Sequence, residues 1–416
     1  MTIHVRIITF ICPGDKHKMK LESIKLKNFR AFKEASMQNI PNFCVLVGAN
    51  GTGKSTVFSI FDFLKNAMSS NVNVALTKLG GSRGFDEVRS RNSKGPIEIE
   101  LKFRKDKDSP LATYFLQINE KNGRAYVQRE FLKYRRGSTG RPWYFLNFSE
   151  GRGLAVTNEE SILRRSFREE DLERSEQTLK SNDILAVKGL AQFSNFPIVA
   201  ALGNMIENWH VSDFHIDRAR NEQEAGYAEH LSREGENLSL VLQFLYNNHR
   251  EVFDRILRIM SRRVPGVTNV EPKTTEEGRI LLKFRDGAFE DPFLARYVSD
   301  GTIKMLTYLV LLNDPSPHPL LCVEEPENQL YPSLLEELAE EFRSYARKGG
   351  QVIVSTHSPD FLNAVQLDEV FWLIKKDGYT SIQRASDNKQ ISIYMKSGDK
   401  MGYLWKQGLF QGVNPE

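Results

Sequence analysis

Residues 48–56 read Gly-Ala-Asn-Gly-Thr-Gly-Lys-Ser-Thr and follow directly on the apolar run Phe43–Val47. Five apolar residues ending in a glycine-rich turn predict a buried strand that hands the chain to a helix over 53–67. The glycines let successive backbone N–H groups turn inward around an anion, and the helix that follows aims its positive end at the same point. In the pattern G-x-x-x-x-G-K-[ST], Lys54 is placed to reach the β- and γ-phosphates of a nucleotide and Ser55 to bind Mg²⁺. Gly48, Asn50, Gly51, Thr52, Gly53 and Thr56 supply the rest of the cradle. The chain is therefore expected to be an α/β nucleotide-binding protein.

At 416 residues the chain exceeds one ordinary core, and roughly 150 residues per domain suggests two or three lobes. Charged residues at 26% and hydrophobic residues at 40% describe a folded, water-soluble chain. Apolar runs such as 309–312 are far too short to span a bilayer, so no membrane segment is expected. Cys12, Cys44 and Cys322 are odd in number and widely spaced, which fits a reducing, cytoplasmic setting without a disulfide framework or a zinc site. The stretch 7–11 is too short for a signal-peptide core. Residues 1–18 are read as an N-terminal extension, and Met19, which opens a clean alternating pattern, stands beside Met1 as a candidate native start.

Strands are expected over 21–27 and 43–47, with three alternating strands over 97–103, 114–119 and 125–131 joining the main sheet as an antiparallel addition. The charged segment 159–180 reads as an exposed helical arm. Apolar positions Leu238, Val241, Leu242 and Leu245, then Val252, Phe253, Ile256, Leu257 and Met260, mark further helix up to Pro265-Gly266. The division expected from these patterns is an N-terminal half of the head over 19–131, an inserted and largely helical lobe over 132–290, and a C-terminal half over 291–416.

Three further motifs lie in the last third. The run Leu320-Leu321-Cys322-Val323-Glu324-Glu325 is a strand ending in two carboxylates. By register, Glu324 is placed for the Mg²⁺ shell and Glu325 to accept a proton from, or position, an attacking water. A second apolar strand over 351–355 runs into Thr356-His357-Ser358-Pro359, where His357 can sense a γ-phosphate. Between the P-loop and these strands, Ser299 stands as the N-cap of a helix over 303–312, and the small Gly301 allows close approach of an anion.

In this order, the P-loop, Ser299-Asp300-Gly301-Thr302, Glu324-Glu325-Pro326-Glu327-Asn328 and Ser355-Thr356-His357-Ser358-Pro359 resemble the ABC-type ATPases of the RecF and SMC group. The opening Leu26-Lys27-Asn28-Phe29-Arg30-Ala31-Phe32 and the run Glu324 to Leu330 resemble the compact ATPases related to RecF and to OLD-type ATPases; Glu234-Gly235-Glu236-Asn237-Leu238 matches a helix opening common there. The resemblance covers most of the chain from Met19. It implies an ABC-type P-loop ATPase head with an antiparallel β addition, using ATP and Mg²⁺. It also implies a homodimer in which Lys54 and Ser55 act on one nucleotide while Ser299 and Gly301 come from the other head. Arg30 is implied at the nucleotide or in support of its loop. Three positions depart from the pattern: Glu324 where many ABC proteins have Asp, Asp300 in place of the second signature glycine, and Tyr331-Pro332 where many relatives have His-Pro. Gln128 and Gln192 are the candidates for a glutamine that couples the sheet to the inserted lobe.

The resemblance further implies DNA metabolism, repair or anti-phage defence, acting with a separate nuclease-like effector. A transporter motor and a slowly hydrolysing nucleic-acid-binding module are the alternatives. Over 121–141, seven basic residues (Lys121, Arg124, Arg129, Lys133, Arg135, Arg136 and Arg141) accompany one acid, Glu130, with Tyr126, Phe131 and Tyr134 interleaved. That mixture suits contact with DNA or another nucleic acid, or a solvated outer face of a β-meander. Asp213, His215 and Asp217 alternate as strand positions would and, with Arg218 and Arg220, could form a metal or nuclease cluster, although Asp–Arg pairing and loop hydrogen bonds explain the composition more simply.

Overall fold

The computed structural model describes residues 19–104, 110–135, 140–163 and 167–410. The expectations about residues 1–18, Cys12 and Arg136 lie outside them. The element that positions the site is a six-stranded sheet in the order His210–Ser212, Leu320–Glu324, Gln351–Thr356, Phe43–Val47, Val370–Lys376 and Tyr379–Arg384. The first five strands run parallel and the last is antiparallel. Helices cover both faces, which is why Phe43–Val47 is apolar at every position and wholly buried. Alternate residues of that strand serve different cores: Cys44 and Leu46 face one, Phe43, Val45 and Val47 the other.

The first core lies between this sheet and a second, eight-stranded antiparallel sheet. Its order is Phe32–Gln38, Lys20–Phe29, Ile97–Arg104, Ala112–Lys121, Arg124–Tyr134, Trp143–Ser149, Arg152–Val156 and Arg174–Thr178. Ile97–Arg104 alternates buried and half-buried residues along its whole length, the pattern of a sheet with one covered face. The helix Lys54–Ser69 fills the space between the sheets with Val57, Phe58, Phe61 and Leu64. Gln351 ties the two sheets together: its Oε1 accepts from Leu21 N at 2.9 Å, and its Nε2 donates to Leu21 O at 3.0 Å and Pro41 O at 3.2 Å.

The second core holds the helix Asp300–Leu312, buried from Thr302 onward, the amphipathic helix Pro332–Arg347, and the pair Leu238–Asn248 and Arg250–Arg263. A small sheet of Gln223–Glu224, Arg279–Asp286 and Val267–Thr274 flanks it, with Phe293–Leu294 beside Arg279–Asp286.

Three expectations are corrected. The alternating strands over 97–131 do not join the sheet that carries the P-loop; they build the separate antiparallel sheet. Residues 132–290 are a mixture rather than a mainly helical lobe, because Trp143–Ser149, Arg152–Val156 and Arg174–Thr178 extend the antiparallel sheet. The helical arm over 159–180 is short 3-10 turns followed by the strand Arg174–Thr178. That strand is wholly polar and half-exposed, as a sheet edge guarded by charges is, so hydrophobic periodicity could not reveal it. Among the described residues, no helix is long and apolar enough to cross a membrane.

Candidate nucleotide site

Parallel pairing brings the candidate residues to one edge. Val47 is in register with Thr356 and Ser355 with Glu324, so the chain leaves all three strands at the same end: into the P-loop, to Glu325 and to His357. Ligands of open α/β sheets bind at such carboxyl ends.

In the loop, Gly51 and Gly53 adopt φ of 78° and 97°, left-handed values that favour glycine. A Cβ on Gly48 would meet Thr52 Oγ1 at 2.4 Å. Thr52 closes the turn by donating from its hydroxyl to Ala49 O at 2.8 Å, while Thr380 donates to Thr52 O at 2.8 Å. Asn50 and Ser55 are exposed and Thr56 is half-buried.

Lys54 is 6% exposed. Its Nζ donates to Gly48 O at 2.8 Å and lies 3.8 Å from Glu325 Oε1. Burial pushes this ammonium down, and the carboxylates of Glu325, Glu327 and Glu324 oppose the shift. An ammonium held among its own loop's carbonyls is where a β- or γ-phosphate would be met.

The two carboxylates after the strand sit in different surroundings. Burial pushes the Glu324 carboxyl up, against the nearby Ser55 hydroxyl and the charge of Arg233. Ser55, at the start of the helix Lys54–Ser69, is thus a neighbour of Glu324, as two ligands of one Mg²⁺ would be. Arg233 Nη2 lies 3.4 Å from Glu324 Oε1 and is also bonded to Asp62. Glu325 has φ of 39°, unusual for a residue with a side chain, and its N–H donates to Ser355 O at 3.0 Å. The turn aims its carboxylate at a different set of partners: Asn328 Nδ2 at 3.2 Å, His357 Nδ1 at 3.1 Å and Lys54. Burial alone would raise its pKa, but Asn328, His357 and Lys54 together hold it below the usual carboxylate range. It is therefore ionised at neutral pH and able to accept a proton.

Glu327 fixes the loop that follows the strand Gln351–Thr356. Its Oε1 accepts from Thr356 Oγ1 at 2.7 Å and from His357 N at 3.0 Å, and lies 3.6 Å from His357 Nδ1. The ring of His357 is thus held between Glu325 and Glu327.

Ser299 is exposed and caps the helix Asp300–Leu312, accepting from Thr302 N at 3.3 Å. Gly301 lies against the next loop, where an added Cβ would stand 3.2 Å from Gln329 O. Asp300 is ion-paired with Arg220, and Gln329 Nε2 reaches its other oxygen at 3.5 Å. The acid standing in place of a signature glycine therefore carries its own counter-charge.

Other candidates fall elsewhere. The Arg30 guanidinium donates through Nη2 to Leu79 O at 2.6 Å, at the end of the helix Val72–Gly80. Gln128 accepts from Asn119 at 3.2 Å within the antiparallel sheet, and Gln192 is exposed beyond the helix Ala186–Leu190. Asp213, His215 and Asp217 do not share a strand face, since the strand ends at Ser212 and Asp217 lies in the helix Ile216–Ala219. Arg218 pairs with Glu234 and Arg220 with Asp300. In the basic run, Phe131 and Tyr134 are buried, stacked on Phe115 and Phe145. Arg129 and Lys133 lie over Phe131, and Glu130 turns inward to accept from Ala186 N and Val187 N.

Sequence reasoning missed Arg233 and Glu327. Glu327 stands inside the Glu-Glu-Pro-Glu motif, whereas Arg233 carries no local signal.

The fold resembles two solved structures. One is the SmcHead bound to the C-winged helix domain of ScpA, at a TM-score of 0.52 and 15% identity, covering 87% of this chain and 97% of that one. The other is the Smc head domain with an extended coiled coil bound to the C-terminal domain of ScpA derived from Pyrococcus furiosus, at a TM-score of 0.51 and 14% identity, covering 92% and 100%. No curated protein matches the sequence. The family model described as "AAA domain, putative AbiEii toxin, Type IV TA system" matches residues 43–363, and with the SMC-head fold around that match the chain belongs to this family of AAA-type ATPases.

Proposed function

We propose that the protein is an ATP-hydrolysing switch whose heads pair around two nucleotides. Lys54 and the loop amides hold the phosphates, and Ser55 and Glu324 hold Mg²⁺, which would draw charge from the γ-phosphate. Glu325 takes the proton of the attacking water and His357 senses the γ-phosphate. Ser299 and Gly301 complete the site of the opposite head. The observation that carries this reading is the convergence of the P-loop, Glu324 and the Lys54–Glu325–His357 cluster on one sheet edge. Lys54 is held by Glu325 until a phosphate competes for it, so nucleotide arrival would release the base.

The exposed helix start at Ser299 supports head-to-tail pairing, and Asp300, neutralised by Arg220, would not repel a partner's phosphate. The role is a cytoplasmic one in DNA metabolism, repair or anti-phage defence with a separate effector. The two SMC heads, each bound to a domain of ScpA, support a docked protein partner. Exposed Arg124, Arg129, Arg135 and Arg141 suit phosphate contact, whereas the buried Phe131 and Tyr134 leave little for base stacking. Sedimentation of Glu325→Gln with ATP and Mg²⁺ tests the pairing: a dimer that Ser299→Arg abolishes is expected, and a dimer indifferent to both nucleotide and Ser299→Arg would overturn it.

A further inference from the structure

At the opposite end of the Leu320–Glu324 strand, the turn 313–319 carries Asp314 and His318, and the loop before the helix Leu238–Asn248 carries His230. The ligating atoms of these three residues lie within 4.8 Å of one another.

The tautomer of His318 follows from its partner. Nδ1 faces Asn208 O at 3.1 Å, and a carbonyl can only accept, so Nδ1 carries the proton and Nε2 presents a lone pair. That Nε2 is buried and has no hydrogen-bond partner among the described residues. It looks instead at Asp314 Oδ2, 4.0 Å away, where side chains are 9% and 5% exposed. Two acceptors facing each other across a buried gap is an unfavourable arrangement that a cation between them resolves. Asp314 is fixed by Ser316 N, which donates to its other oxygen at 2.8 Å, and His230 Nδ1 lies 2.6 Å from Oδ2. The His230 loop is itself anchored, since Asn237 donates to His230 O at 3.0 Å and accepts from Ser232 N at 2.9 Å. His210, stacked on His318 with ring centroids 4.8 Å apart, adds another buried ring nitrogen, Nε2, without a partner among the described residues. Lys65, the cation facing the group, is engaged by Trp209 O at 2.6 Å.

The geometry points to a transition-metal site of the Zn²⁺ class, formed by His318 Nε2, Asp314 Oδ2 and His230. Two imidazoles and one carboxylate are the donor set of zinc rather than of Mg²⁺ or Ca²⁺. Tetrahedral zinc with bonds of about 2.0–2.1 Å sets its ligand atoms about 3.3 Å apart. The present separations of 2.6 and 4.0 Å bracket that value, and the half-exposed His230 ring is free to adjust. Binding would displace the proton between His230 and Asp314. The metal would fasten the loop that carries Arg233 to the turn between the helix Asp300–Leu312 and the carboxylate strand.

The test uses the untagged full-length protein, stripped with chelator and titrated with Co²⁺ as a coloured stand-in for Zn²⁺, with zinc counted by elemental analysis after gel filtration. One metal per chain, with a tetrahedral Co²⁺ spectrum, is expected for the wild type. The Ser55→Ala/Glu324→Gln variant, which removes the Mg²⁺ ligands, should keep both. His230→Ala and Asp314→Asn should each lose the spectrum, and His318→Gln should do so where circular dichroism shows it folded. Absence of the spectrum in the wild type, its survival in His230→Ala and Asp314→Asn, or its loss in Ser55→Ala/Glu324→Gln would overturn the assignment.

Discussion

Removing Arg220 should weaken ATP-dependent pairing without harming the isolated head. In the free chain the guanidinium is paired with Asp300 at the start of the signature helix, and the Asp300 side chain is 46% exposed. In a head-to-tail sandwich this helix start faces the partner's γ-phosphate. Without Arg220, a bare carboxylate would face that phosphate, and a separation of about 6 Å is assumed for the Coulomb term. Coulomb's law gives roughly 0.7 kcal/mol of repulsion per unit charge at that distance in water and roughly 2.8 at the dielectric of a protein surface. Half-exposure favours a value of about 1–2 kcal/mol per site. Two symmetric sites double it, so the dimer dissociation constant of Arg220→Ala in the Glu325→Gln background should rise by roughly 30- to 1000-fold. Sedimentation equilibrium at saturating ATP measures this, and nucleotide affinity of the monomer should stay unchanged. Asp300→Asn added to Arg220→Ala removes the charge itself and should restore most of the lost affinity. If the double variant pairs as poorly as Arg220→Ala alone, electrostatic shielding of Asp300 is not what Arg220 provides.

Lys54→Ala should greatly weaken ATP binding, whereas Glu325→Gln should bind ATP and lose turnover by about 10²- to 10⁴-fold, the usual worth of a general base; phosphate release and nucleotide titration separate the two. Neutralising Arg124, Arg135 and Arg141 together should weaken binding to duplex DNA regardless of sequence and flatten its salt dependence by up to about 0.9 log units per lost phosphate contact. Burial pushes the Glu159 carboxyl up to about 8, against one hydrogen bond from Ile198 N, and the Glu130 carboxyl up to about 7. Both are raised above their unfolded values, so their contribution is full below about pH 4.5 and is lost as pH rises through 7 and 8. Glu159→Gln should therefore flatten the fall in melting temperature between about pH 4.5 and pH 8.

The nucleotide edge was legible because its motifs are local. The P-loop, the strand ending in Glu324 and Glu325, and the strand ending before His357 each announce a buried parallel strand followed by chemistry. Parallel strands covered on both faces are continuous apolar runs, which stand out in a sequence. The antiparallel sheet was half legible. Its strands over 97–131 alternate clearly, but nothing in their pattern says which sheet they join, and the polar edge strand Arg174–Thr178 carries no alternation of hydrophobicity at all. Residues acting across long separations were hidden for the same reason. Arg233 meets Asp62 and Glu324, and Gln351 meets Leu21, only because distant elements pack together. Asp213, His215 and Asp217 do not share a face because the chain leaves the strand at Ser212, one residue before the first of them, and the simpler reading of Asp–Arg pairs and loop bonds stands. In the basic run the charge was legible, but which aromatic rings stay available for stacking was not, since burial of Phe131 and Tyr134 is decided by the neighbouring strands.

The shared site is tested most directly by mixing two inactive proteins. Lys54→Ala disables a head's own P-loop, and Ser299→Arg disables the signature it lends to its partner. A mixed dimer holds one composite site in which both defects coincide and another in which the P-loop and the signature are both intact. ATP turnover of an equimolar mixture should therefore reappear although each variant alone is inactive. A mixture as inactive as its components, with both proteins folded and able to form mixed dimers, would contradict the account, because each head would then complete its site by itself or not at all.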